Sequence, residues 1–108
     1  MVKRIKENEK FLKKYLHCNH KYRKNLISNA SPEEINCLCE ATLNVLNRNV
    51  PITAAKIRQL KPYQRTIKQI SFKKIPFEKK KKLLVQKGGF LPIILSTVLG
   101  ILATKLLN

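Results

Sequence analysis

Across 108 residues the chain carries 23 Lys and Arg against six Glu and no Asp, giving a net charge of +17 and a pI near 10.2. That length allows one small domain with a limited core, while the charge far exceeds the roughly 2 to 8 that keeps a small domain soluble and so points to a polyanionic partner. With no Asp, no glycine-rich phosphate loop and its Glu scattered, the sequence offers no acid–base pair, so neither enzymatic activity nor a cofactor is expected.

The periodicities predict an all-α chain of short helices with no strand. Residues 1–30 read as a basic amphipathic helix over about 3–27, with Ile5, Leu12, Tyr15, Leu16, Tyr22 and Leu26 on one face. Nine Lys and Arg stand there against Glu7 and Glu9. Nothing apolar follows Met1-Val2-Lys3-Arg4, so no secretory leader is expected and the three cysteines should be free thiols in a reducing compartment.

Residues 31–72 read as a small helical core. Ser31-Pro32-Glu33-Glu34 sets a capping hydroxyl, a first-position proline and a capping-box glutamate in register for a helix over 32–47. Ile35, Leu38, Cys39, Thr42, Val45 and Leu46 form its apolar stripe, and Val50-Pro51 ends it. Thr53 caps a third helix over 54–60, which Pro62 should break at Lys61 before a fourth runs over 63–70. Arg58, Lys61, Arg65 and Lys68 recur at intervals of three, four and three; if the break is mild they share one side and can follow a phosphate backbone, or they are an ordinary solvated face.

Residues 73–89 form a lysine-rich segment with a helix over 77–87. Its Lys73, Lys74 and Lys87 suit phosphate contact, and the run Lys79, Lys80, Lys81 and Lys82 suits phosphate contact, nuclear import or an anionic leaflet. Gly88-Gly89 is the one obvious hinge. Beyond it, residues 90–108 predict an apolar C-terminal helix in which only Lys105 is charged. Its 18 residues from Phe90 to Leu107 would reach roughly 27 Å, a marginal span for a bilayer core of about 30 Å. Phe90 and Leu91 open it, and Ser96, Gly100 and Thr104 repeat every four residues as a groove for close helix packing. The partner could be lipid, an apolar pocket on a larger protein, another copy of the chain, or residues 31–70 of the same chain.

Metal binding is not expected. His17, Cys18, His20, Cys37 and Cys39 fit no common zinc spacing, and on a helix Cys37 and Cys39 project roughly 200° apart. Cys39 reads as core, Cys37 as partly exposed, and both histidines as surface groups. At the charge density of this chain self-repulsion opposes compaction, so partial disorder is expected when it is free. A helix-turn-helix regulator over 31–70 fits less well, because Val50-Pro51 interrupts the turn and no base-reading cluster stands out.

Lys87-Gly88-Gly89-Phe90-Leu91-Pro92-Ile93-Ile94-Leu95, with lysines before it and a small-residue-rich apolar tail after it, resembles the carboxyl end of the adenovirus minor core protein X precursor. It is closer still to the X-like proteins of adintoviruses and Polinton (Maverick) elements, in which counterparts of Ala41 to Ile52 and of Lys82 to Leu91 occur. The likeness spans about residues 35–108, and Leu83 to Pro92 is its specific part.

The resemblance implies a virion protein of an adenovirus-like element that compacts double-stranded viral DNA without sequence preference, located in the virion and the host nucleus. A viral cysteine protease that cuts after Gly-Gly signals would act at Gly89-Phe90. Gln86 stands where the family pattern prefers an aliphatic residue, and lysine replaces the arginine of the adenovirus peptide, implying point-charge rather than bidentate phosphate contacts. A different class of function, a membrane-active or tail-anchored protein with residues 90–107 inserted and the N-terminus cytosolic, uses the same two features.

Overall fold

Each chain segment that caps its own backbone amides, or buries an apolar stripe, forms a helix, and every described element is helical. The computed structural model describes residues 2–47, 52–71 and 75–107, with backbone alone at residues 2, 3, 46, 71 and 101–107. Eight α-helices run in order: α1 Val2–Glu7, α2 Glu9–His17, α3 His20–Ser28, α4 Pro32–Leu46, α5 Ala54–Leu60, α6 Gln64–Ser71, α7 Phe77–Lys87 and α8 Leu91–Leu107. Single 3-10 turns, Lys61–Tyr63 and Gly88–Phe90, join α5 to α6 and α7 to α8. Lys73, Lys74 and the Val50-Pro51 boundary lie outside the described residues, as does the side chain of Thr104.

The single N-terminal helix expected over 3–27 is three helices. Asn8 turns its amide back to the Arg4 carbonyl (2.8 Å), competing with the helical ladder, and its backbone leaves helical geometry at φ −106°, ψ 17°. Cys18 and Asn19 are extended, and the Asn19 side chain accepts a hydrogen bond from the Tyr22 amide (3.0 Å), starting α3 afresh. Arg23 closes the corner: its Nε and Nη2 donate to the carbonyls of Tyr15 (3.0 Å) and Leu16 (2.8 Å), which α2 leaves without helical partners. The bend lets Leu12, Tyr15 and Ile27 all point inward, while Tyr22, expected on the buried face, is 60% exposed.

The centre of the molecule is α4, which packs against α1, α6, α7 and α8. Its start is the expected capping box: Ser31 Oγ accepts from the Glu34 amide and Glu34 Oε1 accepts from the Ser31 amide. Being surrounded, it buries more than one stripe, so Ile35, Cys37, Leu38, Ala41 and Thr42 are all closed to solvent. Cys37 is therefore core rather than partly exposed. Its thiol lies 3.9 Å from the Arg4 carbonyl of α1, which covers that side.

Thr53 caps α5 through the Lys56 amide, as expected. The α-helix breaks at Lys61, as expected; Pro62 lies in a single 3-10 turn over Lys61–Tyr63, after which α6 begins at Gln64. The apolar tail docks within the same chain. Phe90, Leu91, Ile94, Leu95 and Val98 are buried, with α8 against α4 and α2. Buried side chains from Ile5 to Ala30, from Ile35 to Ile70, Leu84, and from Phe90 to Val98 share one core. The radius of gyration, 12.9 Å, is that of a compact domain, about 13 Å for this length.

The double glycine is a packed turn rather than an open hinge. Gly88 and Phe90 are buried, and the Phe90 ring lies 5.8 Å from that of Tyr63, tilted by 51°. A Cβ on Gly89 would lie 3.1 Å from the Tyr63 hydroxyl, so close approach, not backbone conformation, calls for glycine here.

Candidate nucleic-acid interface

The α5–α6 run supplies the most ordered cationic surface. At roughly 100° per α-helical residue and 120° per 3-10 residue, Arg58, Lys61, Arg65 and Lys68 fall within a sector of roughly 90°. All four are exposed. Leu60 and Tyr63 on the far side are half-buried, and Ile67 and Ile70 are fully buried. The mild turn at Pro62 is what keeps the four aligned. Among the described residues none of them forms an ion pair.

The tetralysine run does not act as one block. Consecutive helical residues point about 100° apart, and α7 sits between α3, α4 and α6. Lys79 and Lys82 are exposed, as is Lys87, while Lys80 and Lys81 are half-buried. Lys81 Nζ reaches the Ala30 carbonyl (3.3 Å) and lies 5.4 Å from the centre of the Phe77 ring. Lys80 lines a recess with Arg4, Cys39 and Glu40. Lys56 also works internally, its Nζ 3.2 Å from Thr97 Oγ1 on α8.

Three of the six Glu are held in ion pairs among the described residues. Arg4 holds Glu40 (2.6 Å) and Glu33 (3.9 Å) on the α1–α4 side, and Lys13 holds Glu9 (2.9 Å) within α2.

The N-terminal arm contributes cations that the residue pattern did not single out. Because α3 packs on α7, the exposed Lys24 and His20, with the half-buried Arg23, come to border a cleft whose other wall contains Gly88 and Gly89. The signal for them was the +7 of residues 1–30; what hid them was the assumption of one straight helix.

The tail residues divide as well. Phe90 and Leu91 are core, Ser96 is exposed and donates its hydroxyl to the Ile93 carbonyl (3.1 Å), and Gly100 is exposed with open space where a Cβ would stand. The helical run from Phe77 to Gly100 is long and apolar enough to cross a membrane, yet much of it is buried in the protein.

Burial governs the reactive groups. It pushes the Cys37 thiol up to about 12, with Glu40 adding to the rise, and it raises Cys39 against the opposing charge of Lys80. The Tyr15 phenol is likewise pushed up to about 12 by burial, partly opposed by Arg23. Among the described residues no group of three His, Cys or Glu side chains could hold a metal ion. No protein-family profile, curated protein or solved structure matches the chain.

Proposed function

We propose that the chain binds duplex DNA without sequence preference and compacts it, as a minor core protein in the virion of an adenovirus-like element. The observation that carries this reading is the exposed strip of Arg58, Lys61, Arg65 and Lys68, backed by a buried apolar face and free of ion pairs among the described residues. Lys79, Lys82 and Lys87 add exposed charge from α7, and Lys73 and Lys74 add charge by sequence. The resemblance of Lys82 to Leu91 to X-like proteins supplies the viral setting.

A protein that neutralises about six phosphates should lose affinity with log salt at a slope near −5, since each contact contributes about −0.9. Replacing Arg58, Lys61, Arg65 and Lys68 together by Gln should reduce the steepness by roughly 3.6. Filter binding on duplex DNA between 50 and 300 mM salt measures both. A slope near zero for the unaltered chain removes the proposal.

Processing by a viral protease at Gly89-Phe90 belongs to this reading. With Phe90 buried and the bond inside a helical turn, cleavage requires the α7–α8 junction to open first. The membrane reading is favoured by one observation, the apolar length of residues 77–100. Vesicle flotation of the full chain tests it. Self-association or capsid contact through α8 would use the exposed Ser96 and Gly100 side.

A further inference from the structure

Between α3 and the α7–α8 turn lies a cleft of about 140 Å³. Water occupies about 30 Å³ per molecule in the liquid, so this space holds four or five waters, or one phosphate group. Tyr15, His20, Arg23 and Lys24 line one side and Gly88 and Gly89 the other, with no carboxylate among the lining residues. Arg23 commits its Nε and one Nη2 proton to the α2 carbonyls, which fixes the guanidinium in place and leaves further N–H groups to donate. Tyr15 is 4% exposed, and its hydroxyl has no hydrogen-bond partner among the described residues, although the oxygen is not sealed from solvent. A hydroxyl that reaches solvent at the edge of this cleft is free to donate to a ligand there.

We infer that this cleft is a phosphate seat, in which the Tyr15 hydroxyl and the Arg23 and Lys24 cations hold one phosphate oxyanion of a nucleic-acid backbone. His20 borders the opening. The occupant is chemically a phosphate because the cleft is lined by Arg23, Lys24 and Tyr15, which bring positive charge and N–H and O–H donors, and by no carboxylate. A nucleic-acid source is favoured over a lipid headgroup because the neighbouring apolar helix is already buried in the core and does not present a lipid-facing surface there. The identity of the phosphate source rests on the proposed DNA binding, whereas the anion seat itself does not.

The test is a proton–nitrogen correlation NMR titration of the full chain with inorganic phosphate, against chloride at matched ionic strength, repeated with duplex DNA. Phosphate should produce saturable shifts centred on the Gly88 and Gly89 amides, and chloride should not. The Tyr15→Phe and Lys24→Gln variants, which keep the Arg23 corner intact, should each weaken the phosphate response about tenfold, the scale of one charge-assisted hydrogen bond. Equal shifts with chloride, or unchanged phosphate affinity in a Lys24→Gln variant with the normal helical circular dichroism, overturns the seat. If phosphate saturates the cleft but DNA leaves these amides unmoved, the nucleic-acid source is overturned. If DNA binds with the steep salt slope while the cleft ignores phosphate, this inference fails and the proposed function stands.

Discussion

Ending the chain at Gly89 should abolish the fold, not merely remove a tail. Phe90, Leu91, Ile94, Leu95 and Val98 are each at most 2% exposed, packed in the core that α4 and α2 share with α8. At about 2 kcal/mol per fully buried side chain their loss amounts to about 10 kcal/mol, an upper figure because unfolded chains are partly compact. Small domains have only about 5–15 kcal/mol in total, so a chain of residues 1–89 should show no cooperative thermal transition by far-UV circular dichroism. Leu95→Ala gives a graded version. A buried Leu→Ala change costs about 2–5 kcal/mol, and at about 4–8 °C per kcal/mol Tm should fall by at least about 8 °C. A truncated chain that melts cooperatively within a few degrees of the full one would refute the claim that α8 belongs to the core. The consequence for function is practical: loss of DNA binding on truncation would report unfolding of the cationic scaffold, so the point variants on α5 and α6 are the cleaner probes.

A Cβ introduced by Gly89→Ala would lie 3.1 Å from the Tyr63 hydroxyl, with the next ring atoms at 3.5 Å, so the effect of the change should be coupled to Tyr63. Tyr63→Phe removes that oxygen, so in urea melts the double variant should be more stable than the sum of the singles implies; strict additivity would remove the contact from the explanation. Thiol titration at pH 8 should find Cys18, which is partly exposed, reacting ahead of the buried Cys37 and Cys39, and one common rate for all three in the native chain would contradict their burial. Burial holds protons on Cys37 (ordinary value 9.0) and Tyr15 (10.0) until about 12. Above those ordinary values the unfolded chain releases its protons first, so stability falls as pH climbs from about 9 toward 12. Tyr15→Phe should make that decline shallower in melts across the range, and an unchanged decline would show that Tyr15 does not contribute.

Local backbone chemistry was legible and global burial was not. The Ser31–Glu34 box and the Thr53 cap each specify a helix start within four residues, so the starts of α4 and α5 could be read directly. The same signal at Asn19 was hidden inside a stretch whose apolar residues fit one long helical face. Only the packing of Ile27, whose burial needs the bend that Arg23 closes, decides between one helix and two there. Composition correctly marked α8 as apolar, but apolar composition does not specify which apolar environment a helix enters. Likewise the lysine run counts charge correctly but not its availability, because α7 is enclosed by three helices and draws Lys80 and Lys81 inward.

The same burial weighs between the two functional readings. For Phe90, Leu91, Ile94, Leu95 and Val98, moving from the core to lipid exchanges one apolar environment for another and gains little. Their departure would uncover the side of α4 that α8 packs against, a loss of about 2 kcal/mol for each side chain exposed to water. Lysine attraction to an acidic leaflet contributes about 1 kcal/mol per residue, and in α7 only Lys79, Lys82 and Lys87 among the described residues are exposed to supply it. Membrane insertion therefore calls for a different fold of this chain. Binding of the α5–α6 strip to DNA phosphates calls for no rearrangement, because the four cations already stand on the solvent side of a helix whose other side is anchored by Ile67 and Ile70.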